Sequence, residues 1–300
     1  MPLASFIDMM ADAERGGYAV GYFESWNLES LLAVCDAAEA THSPVLMGFS
    51  GIYLSHPARV VHEPLSLYAA LGLEAIRRLS VPACMVFNES PNIEWVLEAV
   101  TLGFGLVMFS DEMLGFDAQL ERVRQVTEVA HGVGVSVEGE AATLPGVGGM
   151  LSAVPEDLRL TDPESARDFI ERTGVDAFAV NIGQAHLHGR KRVRLDLHRL
   201  AALKQTLSVP LVLHGSSSVD RSDLQEAIRL GIRKINLGSA LKRTYFEAMR
   251  HTTMQAGDDY NPYEVVGSGL AGDVLTAGRI ALHKTVEDRM VIFSGGRKKP

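Results

Sequence analysis

Histidines, carboxylates and glycine-serine turns recur in this sequence at the points where short apolar runs stop. The fullest case is Val209-Pro210-Leu211-Val212-Leu213 followed by His214-Gly215-Ser216-Ser217-Ser218. Ala177–Ile182 likewise runs into Gly183-Gln184-Ala185-His186, and Ile232–Leu237, which holds Asn236, runs into Gly238-Ser239. Glu24 follows Ala19–Phe23, Ser50 follows Pro44–Phe49, Asn88 and Glu89 follow Val81–Phe87, and Glu138 and Glu140 follow Val133–Val137. Two chemistries fit these residue types. Imidazole nitrogen and carboxylate oxygen together make a donor set for a catalytic divalent cation with an open position. Glycine turns offer backbone N–H groups, serines offer hydroxyls, and Lys191 offers a charge, which together suit a phosphate dianion. The plainer readings are a structural histidine at a strand end and an ordinary Gly/Ser loop.

For these side chains to meet, the apolar runs must be strands of one sheet with their carboxyl ends on one side. Runs of four to eight apolar residues between turn signals read as strands buried on both faces. Phe104–Phe109 is a further run of this kind. Helical segments alternate with the strands: Ser5–Gly16, Leu28–Ala40, Pro64–Leu79, Pro91–Leu102, Phe116–His131, Pro163–Thr173, Leu195–Leu207, Arg221–Leu230 and Ala240–Met254. Strict alternation implies a parallel sheet with right-handed crossovers. Eight strands favour a closed (β/α)8 TIM barrel, and no GxGxxG follows the first strand to favour a dinucleotide fold. The chain is expected to be one domain over residues 1–300. Ala141–Arg159 reads as a long loop. Pro262–Phe293 adds C-terminal helices, and Ile280, Leu282, Val286, Met290 and Ile292 are expected to dock on the barrel or on a partner subunit.

Bulk properties narrow the function class. At 47% hydrophobic and 22% charged residues, the 300-residue chain has the composition of a globular protein with a large core. A formal net charge of −9 argues against nucleic-acid and anionic-membrane partners. Two cysteines, Cys35 and Cys84, make no disulfide framework, so a reduced cytoplasmic setting is expected. The first residues carry no basic n-region, and no apolar run approaches the roughly 20 residues of a membrane span.

The order and spacing of several segments resemble the class II ketose-bisphosphate aldolases. They are Gly17-Tyr18-Ala19-Val20, Ser43-Pro44-Val45, Val137-Glu138-Gly139-Glu140, Leu160-Thr161-Asp162-Pro163, Thr173-Gly174-Val175-Asp176, Gly183-Gln184-Ala185-His186, Val209 to Gly215, and Lys234-Ile235-Asn236. The resemblance implies a (β/α)8 barrel that cleaves a ketose bisphosphate into dihydroxyacetone phosphate and an aldehyde. It also implies a divalent metal, usually zinc, polarising the ketone. His186 and His214 fall where two of the family's three zinc histidines stand. Gly183, Lys191, Gly215, Ser217, Gly238 and Ser239 fall in its phosphate cradle, Asn236 falls at a substrate contact, and Ser50 is a further candidate contact.

The departures are as specific as the matches. Where the family has Leu-His-Leu-Asp-His, this chain has Cys84-Met85-Val86-Phe87-Asn88-Glu89, so the catalytic aspartate is Asn88 and the first zinc histidine is Glu89. An amide cannot carry the aspartate's proton. Ser110 replaces an aspartate, the stretch Leu144 to Gly149 lacks the family's acid, and Glu24 replaces an asparagine. Glu89, His186 and His214 would form a two-histidine, one-carboxylate set, shifting preference from Zn²⁺ toward Mn²⁺, Fe²⁺ or Mg²⁺. The expectation is a divergent lyase acting on a phosphorylated ketose or related keto compound, with Glu24, Glu138 or Glu140 moving protons and a homodimer or homotetramer as the assembly. The alternatives are a sugar-phosphate-binding barrel without turnover, or another lyase or isomerase chemistry on the same phosphate handle.

Overall fold

The structure is a computed structural model and describes residues 2–141, 144–146, 151, 153–187 and 191–294. Eight parallel strands close a barrel in chain order: β1 Val20–Glu24, β2 Val45–Ser50, β3 Ala83–Ser90, β4 Leu106–Phe109, β5 Ser136–Gly139, β6 Ala177–Ala179, β7 Leu211–Leu213 and β8 Ile232–Leu237. β8 pairs back to β1 through Val20 and Lys234 to Phe23 and Leu237. This is the (β/α)8 barrel that the alternation of strand and helix predicts.

Each strand divides its side chains between two apolar layers, because successive residues point to opposite faces. Val20, Tyr22, Leu46, Cys84, Val86, Leu106, Ala177, Ala179 and Val212 face the interior, together with Phe6, Met9, Met10 and Ala13 of the first helix. That helix, Phe6–Gly16, starts at Ser5, whose side chain accepts from the Asp8 amide, and ends on left-handed Gly17. It plugs the amino-terminal end of the barrel, opposite the strand ends that carry the candidate site residues. The outer layer packs the remaining strand side chains against the surrounding helices.

The 20-residue helix Val274–Phe293 lies on the outside of β1 and of the helices Leu28–Thr41 and Ser239–Ala256. Leu282, Val286, Met290 and Ile292 are buried there, Arg279 bonds Asp36 at 2.7 and 2.9 Å, and Phe293 stacks on Phe23. Ile280, expected to dock on the barrel or on a partner subunit, does not dock on the barrel and is 62% exposed in the single chain. It falls off the buried stripe, which runs through 278, 282, 286, 290 and 293 at helical spacing.

Strand ends differ from expectation at three places that matter. β3 continues through Ser90 rather than stopping at Phe87, β6 stops at Ala179 rather than Ile182, and a short helix, Gly51–Leu54, follows β2 directly. Within β2, Gly48 is required by packing: a Cβ there would overlap the Val86 carbonyl oxygen of β3.

Candidate active site

The open end of the barrel holds a pocket of about 270 Å³. Every strand end that reaches it delivers a polar group. β1 supplies Glu24, β2 Ser50, β3 Asn88 and Glu89, the loop after β6 His186, the turn after β7 His214, Gly215 and Ser217, and β8 with its turn Asn236, Gly238 and Ser239.

Two consecutive residues of β3 face this pocket because the strand bulges. Phe87 is in register with Val107 but Ser90 with Phe109, so β3 carries one residue more than β4 across this interval. Glu89 absorbs the extra residue with φ 44°, a left-handed conformation that L-residues seldom adopt. In a regular strand Asn88 and Glu89 would point to opposite faces. The bulge turns both inward.

Behind the pocket lies a buried charge cluster. His214 Nδ1 is 3.0 Å from Glu89 Oε1, and its Nε2 is 2.7 Å from Glu138 Oε1. Glu138 Oε2 is paired with Lys234 Nζ at 2.7 Å, and both of these side chains are fully buried. Lys234 Nζ also donates to Asn236 Oδ1 at 2.6 Å, and Asn236 Nδ2 donates to Asn88 Oδ1 at 3.2 Å. Asn88 Nδ2 closes the ring by donating to Glu89 Oε2 at 2.6 Å. Two carboxylates thus balance two cations away from water, where an unpaired charge would be costly. Burial opposes ionisation of Glu89, Glu138 and His214, and the opposite charges override it. His214 holds Glu89 down at about 2, and Lys234 and His214 lower Glu138. The two glutamates raise His214 to about 10.

Glu140 is the odd member. It is buried, accepts a hydrogen bond from the Ser110 hydroxyl, and is pushed up to about 7 by burial and by the negative charge of Glu89 and Glu138.

The expected site residues fall into two sets. Glu24, Ser50, Asn88, Glu89, His186, His214, Gly215, Ser217, Asn236, Gly238 and Ser239 line the one pocket. Glu138 and Glu140 stand behind it, Gly183 is outside its lining, and Lys191 is exposed on the loop after β6. Glu138 therefore reads as a buried counter-ion for Lys234 and His214, not as a group that meets a ligand. Of the acid-free loop, Leu144, Pro145 and Gly146 are in place, with the Pro145 carbonyl accepting from the His186 amide at 3.0 Å; Val147–Gly149 lie outside the described residues.

The expected metal set, Glu89, His186 and His214, shares the pocket, but its donors are not arranged for a cation. Both ring nitrogens of His214 face carboxylates. Among the described residues, no three His, Cys, Asp or Glu side chains are grouped to hold a metal.

The turns after β7 and β8 are tied together. Ser217 Oγ accepts from the Ala240 amide at 3.3 Å, and Ser216 Oγ donates to the Asn236 carbonyl at 2.5 Å. Gly215 sits at φ 65°. Two basic residues at this end, Lys242 and Arg243, line the pocket and were not anticipated. Their signal was their place one helical turn beyond Gly238-Ser239, which puts them on the same side of the mouth. Lys242 Nζ is ion-paired with Glu24 and lies 5.6 Å from the centre of the Trp26 ring and 5.3 Å from that of Tyr53.

Residues 4–297 match the family model described as fructose-bisphosphate aldolase class-II. A fructose-bisphosphate aldolase from Thermus caldophilus is 31% identical over 97% of this chain and 98% of its own length. The crystal structure of the YdjI aldolase from Escherichia coli K12 superposes with a TM-score of 0.77 at 25% identity, covering 97% of each chain. At 18% identity, a fructose-bisphosphate aldolase from Campylobacter jejuni shares the fold, with a TM-score of 0.73 over 97% of this chain and 95% of that one. With the family model spanning residues 4–297 of its closed eight-stranded barrel, this chain belongs to the class II fructose-bisphosphate aldolase family.

Proposed function

We propose that the protein is a lyase that makes or breaks a carbon–carbon bond in a phosphorylated ketose or related keto compound. The observation that carries this reading is the convergence, in one pocket, of two carboxylates, two histidines and two amides with a Gly/Ser turn pair and two cations. The first group suits proton transfer and orientation of a keto oxygen, the second an anionic handle.

Class II aldolases are generally dependent on a divalent metal. The residues here do not fit one as they are placed, because Glu89 and Glu138 occupy both ring nitrogens of His214. No step is therefore routed through a metal. In the cleavage direction, the hydroxyl on the leaving fragment gives up its proton and becomes the aldehyde oxygen. The electron pair of the broken carbon–carbon bond moves to the keto fragment as an enediolate, which takes a proton at carbon. Asn88 and Asn236 are neutral and orient; they cannot titrate. Glu24 is the pocket carboxylate outside the buried charge ring, and it is the group we assign to the hydroxyl proton.

The experiment is release of dihydroxyacetone phosphate from a panel of phosphorylated ketoses, fructose and tagatose bisphosphates included, by the native protein and by Glu24→Gln. Removing a working acid or base costs about a hundredfold or more. Turnover retained within about twofold in Glu24→Gln would remove Glu24 from the mechanism. The second reading, a barrel that binds a sugar phosphate without turnover, is favoured by one observation: the amide of Asn88 stands in the hydrogen-bonded ring where the resemblance implies an acid.

A further inference from the structure

We infer that Lys242, rather than Lys191, is the cation that receives the anionic group of the substrate, and that Glu24 is its resting counter-ion, displaced when that group binds. The inference rests on the phosphate-handle reading above and adds which side chains set the affinity. Lys191 is exposed and does not line the pocket, whereas Lys242 does. The Lys242 ammonium is fixed on several sides, by the Glu24 carboxylate and by the rings of Trp26 and Tyr53. Glu24 is the better buried of the pair, at 15% exposed against 38% for Lys242.

The other oxygen of Glu24 lies against the turn that the Gly/Ser pattern marks as an anion cradle. A Cβ at position 238 would collide with Glu24 Oε2, so the carboxylate fills the space that the missing side chain leaves over Gly238. A carboxylate held between a glycine turn and a lysine has the contacts that a substrate oxyanion would have in the same place. Phosphate and Glu24 on Lys242 at the same time would repel each other, so the arrival of one weakens the hold of the other. Binding of the anion takes over Lys242 and returns the Glu24 carboxylate to the pocket, where the proposed proton transfer needs it. Tyr53 and Trp26 then hold the ammonium in place through the exchange.

The probe is inorganic phosphate, titrated calorimetrically into the native protein, Glu24→Gln and Lys242→Met, with thermal melts to establish that each variant is folded. Glu24→Gln is expected to bind phosphate about tenfold more tightly or better, and Lys242→Met about tenfold more weakly. In turnover, Glu24→Gln is expected to combine this tighter binding with a lower kcat, a split that loss of structure would not produce. Phosphate affinity in Glu24→Gln equal to or weaker than native would overturn the exchange while leaving the phosphate handle standing. If Glu24→Gln does not fold, Lys242→Met decides alone: native affinity in that variant overturns the assignment. Absence of phosphate binding in all three, with native folding, would take down the handle itself and this inference with it.

Discussion

Glu140 offers the sharpest quantitative test of the buried site. Its carboxyl is buried, holds one hydrogen bond from Ser110, and is raised from an ordinary 4.5 to about 7. At about 1.36 kcal/mol per pKa unit, ionising it costs the folded state about 3 kcal/mol. The sign follows from proton counting. Between pH 4.5 and about 7 the folded state holds the Glu140 proton and the unfolded chain does not, so this group makes stability fall as pH rises through that window and adds no further change above it. Glu140→Gln keeps an acceptor for Ser110 and removes the charge. The variant is therefore expected to match the native protein near pH 4.5 and to be more stable by about 3 kcal/mol at pH 8, a gain of about 5 °C in Tm for a chain of this length. The native-minus-variant difference isolates this group from the other shifted ones. Glu89, lowered from 4.5 to about 2, contributes stability that is lost as pH falls between those values, and His214, raised from 6.5 to about 10, contributes stability that is lost as pH rises between those values; both contributions are common to native and variant and cancel in the difference between them. Paired thermal and urea melts at pH 5 and pH 8 measure the difference. A native-minus-variant difference that is the same at both pH values would refute the raised carboxyl and the burial argument behind it.

Three further outcomes are expected. Restoring the family's pair with Asn88→Asp and Glu89→His exchanges a carboxylate for an imidazole and frees His214 Nδ1 from Glu89, so Zn²⁺ affinity measured by competition with a chromophoric chelator should rise well above native; an unchanged affinity would contradict the reading of Glu89 as the group that blocks the cation. Leu282→Ala, at a fully buried position of the C-terminal helix, should cost about 2–5 kcal/mol in urea unfolding, whereas Ile280→Ala, 62% exposed, should cost little. A homodimer or homotetramer is expected by light scattering at micromolar concentration, and a monomeric mass would contradict it.

Much of this architecture was legible in the sequence, for a physical reason. Strands buried on both faces are written as continuous apolar runs, and their polar punctuation marks the mouth, which is how Glu24, Ser50, His186, His214, Ser217 and Asn236 could be placed together. The parts that were not legible depend on local geometry or on distant partners. The expected end of β3 at Phe87 overlooks the bulge, because a ladder that continues through one extra residue leaves no composition signal; yet that bulge is what aims both Asn88 and Glu89. Glu138 reads as a strand-end acid until Lys234, from β8, is seen to face it across the barrel. Lys242 and Arg243 lie within the helical segment that follows Gly238-Ser239 and carry no signal of their own in the pattern of strand ends; the fold places them on the pocket. Lys191 shows the converse: a basic residue close to a Gly/Ser turn in sequence stands outside the pocket lining in space.

The central claim is that this pocket performs aldol chemistry on a phosphorylated keto compound. It is tested most directly without knowing the aldehyde partner, by following exchange of the carbon-bound hydrogens of dihydroxyacetone phosphate for deuterium by NMR in D₂O. The account predicts exchange well above the buffer rate, and, because Glu24 is assigned to the hydroxyl proton of the leaving fragment and not to a carbon-bound one, exchange in Glu24→Gln is expected to persist while cleavage falls about a hundredfold or more. Exchange no faster than in buffer, by a folded protein that binds dihydroxyacetone phosphate, would contradict the claim and leave a barrel that binds the phosphate without turning it over.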